Sequence, residues 1–398
     1  MAVTHWRAWL TLALVSALFF VITAATFATL GLVLPGMVAE LGWDWAEAGL
    51  GFSLLGVFCG ITAYVPAALI RRFGVRFCLL AGAAVMAMAF LCLARADGLT
   101  LYFLGTSLAG LGFTLLATVP GTYLLARLFA HPPFAFGLYF TIGGLGGVAG
   151  PLLYFLVTGP ADQWRSYWLV AGAAVVAAAV VTVLLSDTRT DLTRAPETDA
   201  AIAHESWGVG AALRTYQFWV LAAAYSAFLF CGITANSVSV AHLTERGVGV
   251  GVAGSMMSLE ALLNAGARLA GGLLSRFIDV RILLVVALGF LIIGLVALAE
   301  ARGLPLMLVY AGGIGIGYGL AFFASTILLL DYFGRAPNLE LFSIVNLIST
   351  VGSVAPTLAG LTRDRAGAFT PFFFALAVLM AIVLVAAIVM RPPGKPAT

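Results

Sequence analysis

The sequence predicts an all-α membrane protein of twelve transmembrane helices arranged as two six-helix halves, and three observations carry that prediction. The chain has 398 residues, of which 62% are hydrophobic and 9% charged, with a mean hydropathy of +1.09. A soluble domain carries about 25% charged residues, so there is too little charge here to coat a water-facing surface. Apolar runs near 20 residues, the length that crosses a bilayer, recur twelve times between charge-bearing punctuation. One long polar stretch, Asp187 to Trp207, divides these runs six and six. The formal charge of +3 is too diffuse for a nucleic-acid surface. Cys59, Cys78, Cys92 and Cys231 lie in or beside apolar runs without metal-ligand spacing, so neither a disulfide framework nor a metal site is expected.

The runs lie near 8–34, 46–70, 77–94, 99–126, 134–158, 166–186, 215–241, 249–275, 282–299, 304–330, 339–361 and 367–390. The first is too long for the apolar region of a signal peptide and continues into a further span, so it is expected to stay as a membrane helix. The organisation that follows is an N-terminal half over 1–187, a cytosolic linker over 188–211 and a C-terminal half over 212–398. Basic residues set the orientation, because Lys and Arg favour cytoplasmic loops. With the N-terminus inside, thirteen basic residues fall in inside segments and six (Arg95, Arg165, Arg246, Arg302, Arg363 and Arg365) in outside ones. Both termini and the central linker are therefore expected on the cytosolic side of the cell's inner (plasma) membrane.

The two halves repeat each other at an offset of 205. ELGWDWAEAG from Glu40 aligns with ERGVGVGVAG from Glu245, and the register then pairs Ser53 with Ser258, Arg71 with Arg276, Arg76 with Arg281 and Pro151 with Pro356. Duplicated six-helix halves are a transporter plan in which the substrate site lies near the midplane between the repeats.

The repeat isolates two residues. Arg268 stands opposite Ala63 and Glu260 opposite Leu55, so these deep charges occur in one copy alone and repeat packing does not require them. An Arg at a helix centre costs about 2.5–3.5 kcal/mol on insertion scales, so it faces a cavity or a partner. Eight residues separate the two, about 12 Å of rise, which argues against a direct pair and leaves guanidinium donors for a ligand. A guanidinium fork matches a carboxylate in geometry and charge. Span eleven supplies no second cation, so a monoanion is favoured over a dicarboxylate.

SVSVAHLTERGVGVGVAGSMMSLEALLNAGARLAGGLLSR, Ser237 to Arg276, resembles the span seven to eight region of monocarboxylate transporters and oxalate/formate antiporters within the major facilitator superfamily. RTYQFWVLAAAY from Arg214, RRFGVR from Arg71 and LFAHPPFAFGLYFTIGGLGG from Leu128 resemble the same family at the start of span seven, loop two to three, and loop four to five with span five. The resemblance implies a major facilitator fold and a substrate carboxylate bound by Arg268. It also shows departures. Asn264 stands where animal monocarboxylate transporters carry an acid, Arg71 stands where loop two to three usually carries one, and the oxalate exchanger's second cation is absent. Glu260 is the candidate for proton coupling in place of the missing acid.

Further candidates lie on helices that, by resemblance, line the path: Asn264 beside Arg268, with Tyr123, Tyr225, Asn236, Tyr318 and Asn346 as donors to the carboxylate or to a substrate hydroxyl. Thr23, Thr26 and Thr29 are expected to bond their own backbone. Gly312, Gly313, Gly315, Gly317 and Gly319 do not form a nucleotide loop and are expected to permit close helix packing. Gly137, Gly146, Gly150 and Pro151 half-match the span-five signature of proton-driven drug antiporters. An intramembrane hydrolase at Ser107 would need a His in reach, and His5, His131, His204 and His242 are not placed for one. The expected activity is therefore not enzymatic. It is secondary active transport of a lactate- or pyruvate-like monocarboxylate by alternating access, with protons as possible co-substrate and no cofactor. The alternative is a proton-driven drug or metabolite exporter of the same fold.

Overall fold

The computed structural model describes residues 5–129, 132–158, 164–186, 207–334 and 337–394. Span one is α1 (His5–Ala25) and α2 (Phe27–Leu41), and span two is α3 (Trp45–Ile61) and α4 (Val65–Phe73), bent by 48°. Then follow α5 (Val75–Ala94), the broken pair α6 (Leu99–Leu116) and α7 (Thr118–Leu128), α8 (Pro132–Thr158) and α9 (Trp164–Leu185). After the short α10 (Val209–Leu213) come α11 (Tyr216–Glu245), α12 (Val250–Leu274), α13 (Val280–Glu300) and α14 (Leu304–Phe333). Span eleven is α15 (Asn338–Ser349), a 3-10 turn at Thr350–Val354 and α16 (Ala355–Ala366), and α17 (Thr370–Val389) ends the order. Residues 188–206 of the expected linker, with Asp187 before it, lie outside the described residues.

Two of the breaks have a local cause. Thr26 and Thr29 turn their hydroxyls back onto the carbonyls of Ile22 (2.7 Å) and Ala24 (2.6 Å) where the helix is interrupted at Thr26 between α1 and α2. At Ala117 the chain leaves helical geometry, and its carbonyl accepts from the buried Tyr139 hydroxyl at 2.6 Å beside a long bond from the Gly121 N–H at 3.4 Å. The first run, expected to stop near residue 34, continues through Pro35 to Leu41 and ends at Gly42 in the left-handed region (φ 69°).

Among the described residues ten helices are long and apolar enough to cross a membrane, or eleven when α3 and α4 count as one span. The helix missing from that set is α12, which has 25 residues. It is long enough at about 37 Å, and what depresses its apolar character is Glu260, Asn264 and Arg268. The polar load of this span is thus itself a sign of the site.

The repeat is visible in three dimensions. Gly42 and its counterpart Gly247 both take positive φ (69° and 85°) just beyond the ends of α2 and α11. Glu40 is paired with Arg165, and Glu245 at the equivalent position is paired with Arg363 at 2.7 Å.

Helices pack chiefly within their own sixfold set: α1 on α8 and α9, α5 on α6 and α9, α12 and α13 on α14, α13 on α17. Three seams join the sets, namely α3 with span eleven, α8 with α12, and α2 with α11. The α3 seam is a stripe of small residues. Gly49, Ser53, Gly56 and Gly60 recur at spacings of four, three and four, so they share one helix face. They meet Pro356, Thr357, Ser353 and Thr350 in turn, while Gly360 lies on the Trp45 carbonyl. Small side chains let backbones approach, which is how helices associate where lipid offers no hydrophobic driving force. The approach is close along the whole of α3, from Gly360 on Trp45 and Gly49 on Pro356 to Gly60 on Thr350, whereas α4 and α7 pack chiefly within the first set.

Candidate functional site

Between the sets lies a cavity of about 160 Å³ bordered by α1, α2, α8, α11, α12 and α14, below the roughly 300–1,000 Å³ typical of drug-sized sites. Its polar wall comes from α12, where Glu260, Asn264 and Arg268 follow at spacings of four on one face. Thr23, Thr141, Asn236 and Tyr318 add polar atoms, and Phe27 and Phe140 close the opposite side.

The α14 glycines build this wall. A side chain at Gly315 would strike the Glu260 carbonyl at 2.5 Å, and one at Gly319 would strike the Asn264 carbonyl and Ala267. On the opposite face Gly313 and Gly317 sit against Gly294 and Leu291 of α13. The cluster is therefore a two-sided packing surface, and it presses α14 onto the stretch of α12 that carries the charges.

Arg268 is held from two directions. Its Nε–H donates to Asn264 Oδ1 at 3.0 Å, and its Cζ lies 4.4 Å from the Phe322 ring centroid and 5.7 Å from that of Tyr318. Tyr318 is in turn seated on Gly232 of α11. The ion pairs among the described residues do not include Arg268. Asn264 occupies the Nε edge, and Arg268 lines the cavity with no hydrogen bond to Nη1 or Nη2 among the described residues.

Glu260, 4% exposed, accepts from the Tyr310 hydroxyl at 3.1 Å and has no basic partner within ion-pair distance among the described residues. The two deep charges do not pair with each other, in keeping with their eight-residue separation. Thr23 Oγ1 is buried without a hydrogen-bond partner, unlike Thr26 and Thr29, so its neighbours bond their backbone and Thr23 does not.

Of the residues singled out from the sequence, Arg268, Asn264, Asn236, Tyr318 and Glu260 line this cavity. Tyr225 and Asn346 instead bond each other at 3.3 Å, and the Tyr123 ring lies under Arg127 at 4.3 Å; none of the three is among the lining residues. The structure adds Phe27, Phe140 and Thr141 to the wall, and Tyr310 and Phe322 as the supports of the two charges. Phe322 stands four residues beyond Tyr318 on α14, a spacing that would have placed it on the same face. Gly146 and Gly150 of α8 press against Phe20, Ala24 and Ala28 of span one, so packing accounts for the half-signature there. Ser107 borders an apolar groove with Phe58, Leu104 and Leu111, and His242 Nε2 is bonded to the Leu298 carbonyl at 2.9 Å.

Comparison with solved structures agrees with this architecture. A point mutant of the nucleoside transporter NupG superposes with a TM-score of 0.79 at 14% identity, covering 96% of this chain and 99% of that one. A point mutant of the peptide transporter POT gives 0.74 at 16%, covering 94% of each chain. A bacterial homologue of the human lysosomal transporter Spinster, inward-facing and unoccupied, gives 0.72 at 15%, covering 96% and 95%. At these identities the likeness is one of fold. No protein of curated function matches the sequence. The sequence itself matches the Major Facilitator Superfamily over residues 15–355. The chain is thus a multi-pass membrane protein and a transporter rather than an enzyme, and it belongs to the Major Facilitator Superfamily.

Proposed function

We propose that the protein moves a small organic monoanion of the lactate or pyruvate kind, together with a proton, by alternating access across the plasma membrane. The observation that carries this reading is the Arg268 guanidinium: held by Asn264 and Phe322, without an acid in ion-pair distance among the described residues, and lining a small cavity. Charge-assisted bidentate pairing with a carboxylate is strong in such a water-poor setting. Asn236, Thr23 and Tyr318 serve as further hydrogen-bonding partners of the bound anion.

The charge balance supports proton coupling. With Glu260 ionised the cavity holds one positive and one negative group, and an arriving monoanion leaves a net −1 in low dielectric. A proton on Glu260 restores neutrality, so anion and proton favour each other's binding reciprocally. The basic-residue asymmetry supports cytosolic termini. In that orientation the start of α3, where Asp364 and Gly360 meet it, is external.

The test is uptake into proteoliposomes of a panel of short monocarboxylates, dicarboxylates and lipophilic cations, with and without an inward proton gradient. Saturable monocarboxylate uptake, abolished by Arg268→Ala, is expected. Transport of cations with Arg268→Ala unimpaired would overturn the reading in favour of an exporter.

A further inference from the structure

Asp364 of α16 reaches across the seam to the first turn of α3. Its two carboxylate oxygens accept separately from the Trp45 N–H at 3.1 Å and the Ala46 N–H at 2.7 Å. These are donors that a helix cannot satisfy internally, and they are normally capped by a residue of the same chain segment. Here the cap lies 319 residues away in sequence, on the other sixfold set. The segment's own acids, Asp44 and Glu47, form a capping box over the other donors, with Glu47 Oε2 accepting from the Asp44 N–H at 3.2 Å and the Asp44 side chain from the Glu47 N–H, and the Trp45 and Ala46 N–H groups are left to Asp364. Below the cap, Ser53 Oγ and Thr357 Oγ1 are 2.7 Å apart, and Ser53 Oγ also accepts from the Thr357 N–H. The Trp45 ring meets Phe369 edge-on at 5.2 Å beside it.

We propose that Asp364 is a latch that holds the end remote from the termini closed: an anionic cap for α3 that exists only while the two sets are together there. Opening that end parts Asp364 from α3, exposes two uncapped N–H groups and removes a carboxylate from the positive end of the α3 dipole. The bonds therefore stabilise this state selectively over the one open at the remote end. The α3 side contributes only backbone donors, so the latch depends on the shape of the α3 start rather than on a matching side chain.

The latch is independent of what the substrate is, and its test reads the gate alone. Asn236 faces the cavity, and an Asn236→Cys reporter in a chain whose Cys59, Cys92 and Cys231 are replaced is reached from the remote side only when that end opens. The modification rate by a membrane-impermeant thiol reagent applied from that side then measures the open fraction. Removing one helix cap of this kind should speed the reaction about five- to tenfold in Asp364→Ala, with Asp364→Asn, which keeps one acceptor oxygen, between the two. Native Cys78, fully buried in α5, stays as a control. If Cys78 reacts in Asp364→Ala, the helices have come apart and the isosteric Asp364→Asn alone decides. A reporter rate in Asp364→Asn equal to that of Asp364 overturns the proposal.

Discussion

Arg268 and Asn264 stand one turn apart on α12, and the Nε–H of the first donates to the side-chain oxygen of the second at 3.0 Å. That bond consumes one edge of the guanidinium and fixes the plane of the rest. A neutral acceptor leaves the full positive charge for a ligand, where a carboxylate at the same place would cancel most of it.

Replacing Arg268 tests charge and fork separately. Arg268→Ala should abolish monocarboxylate uptake. Arg268→Lys keeps the charge and loses bidentate geometry, so KM should rise by roughly 10- to 100-fold, the equivalent of one charge-assisted hydrogen bond at about 1.5–3 kcal/mol. Initial-rate uptake in proteoliposomes measures both, and a wild-type KM in Arg268→Lys would remove fork recognition from the account.

The supports of the guanidinium should act on affinity more than on folding. Phe322→Leu removes the ring face at 4.4 Å, worth about 0.5–2 kcal/mol when desolvated, and should raise KM several-fold. Phe322→Tyr should restore most of it. Equal thermal stability of the two variants with unequal KM is the expected pattern.

Glu260→Gln keeps the size of the side chain and removes the proton site. Substrate exchange should persist, while accumulation against a gradient under inward proton drive should fall to the equilibrium level. Substrate-induced alkalinisation of a weakly buffered suspension should disappear with it. Retained proton-driven accumulation would assign coupling elsewhere.

The glycines of α14 predict a contrast in stability. Gly319→Val places atoms on the Asn264 carbonyl and should destabilise the helix pair by about 1–3 kcal/mol, with loss of uptake. Gly312→Ala enters open space and should leave melting temperature and uptake within error of wild type. Thermal unfolding in detergent separates the two.

Orientation is tested by labelling. Thiol or protease probes applied to intact cells should miss 187–207 and the C-terminal segment, and should reach both in inside-out vesicles.

Much of this protein was decided locally and could be read along the chain. Twenty apolar residues make a span whatever they pack against, because the free energy of burying them in lipid is a sum over the segment. The 205-residue register and the isolation of Arg268 and Glu260 follow from the same local accounting: a charge deep in an apolar run is conspicuous without a structure. Which polar groups meet is a different kind of question. Thr23 and Thr26 look alike in sequence, yet one faces the cavity and the other bonds Ile22. Tyr318 lines the cavity, whereas Tyr225 turns to Asn346. Tyr310 and Phe322 support the two charges but look like any apolar-span aromatic. In a bilayer the lipid-facing and inward-facing sides of a helix are both apolar, so hydropathy carries little record of which side is which. The crossing of α12 with α14, set by Gly315 and Gly319, and the reach of Asp364 to Trp45 across the seam bring together residues up to hundreds of positions apart. Only the tertiary arrangement decides such contacts.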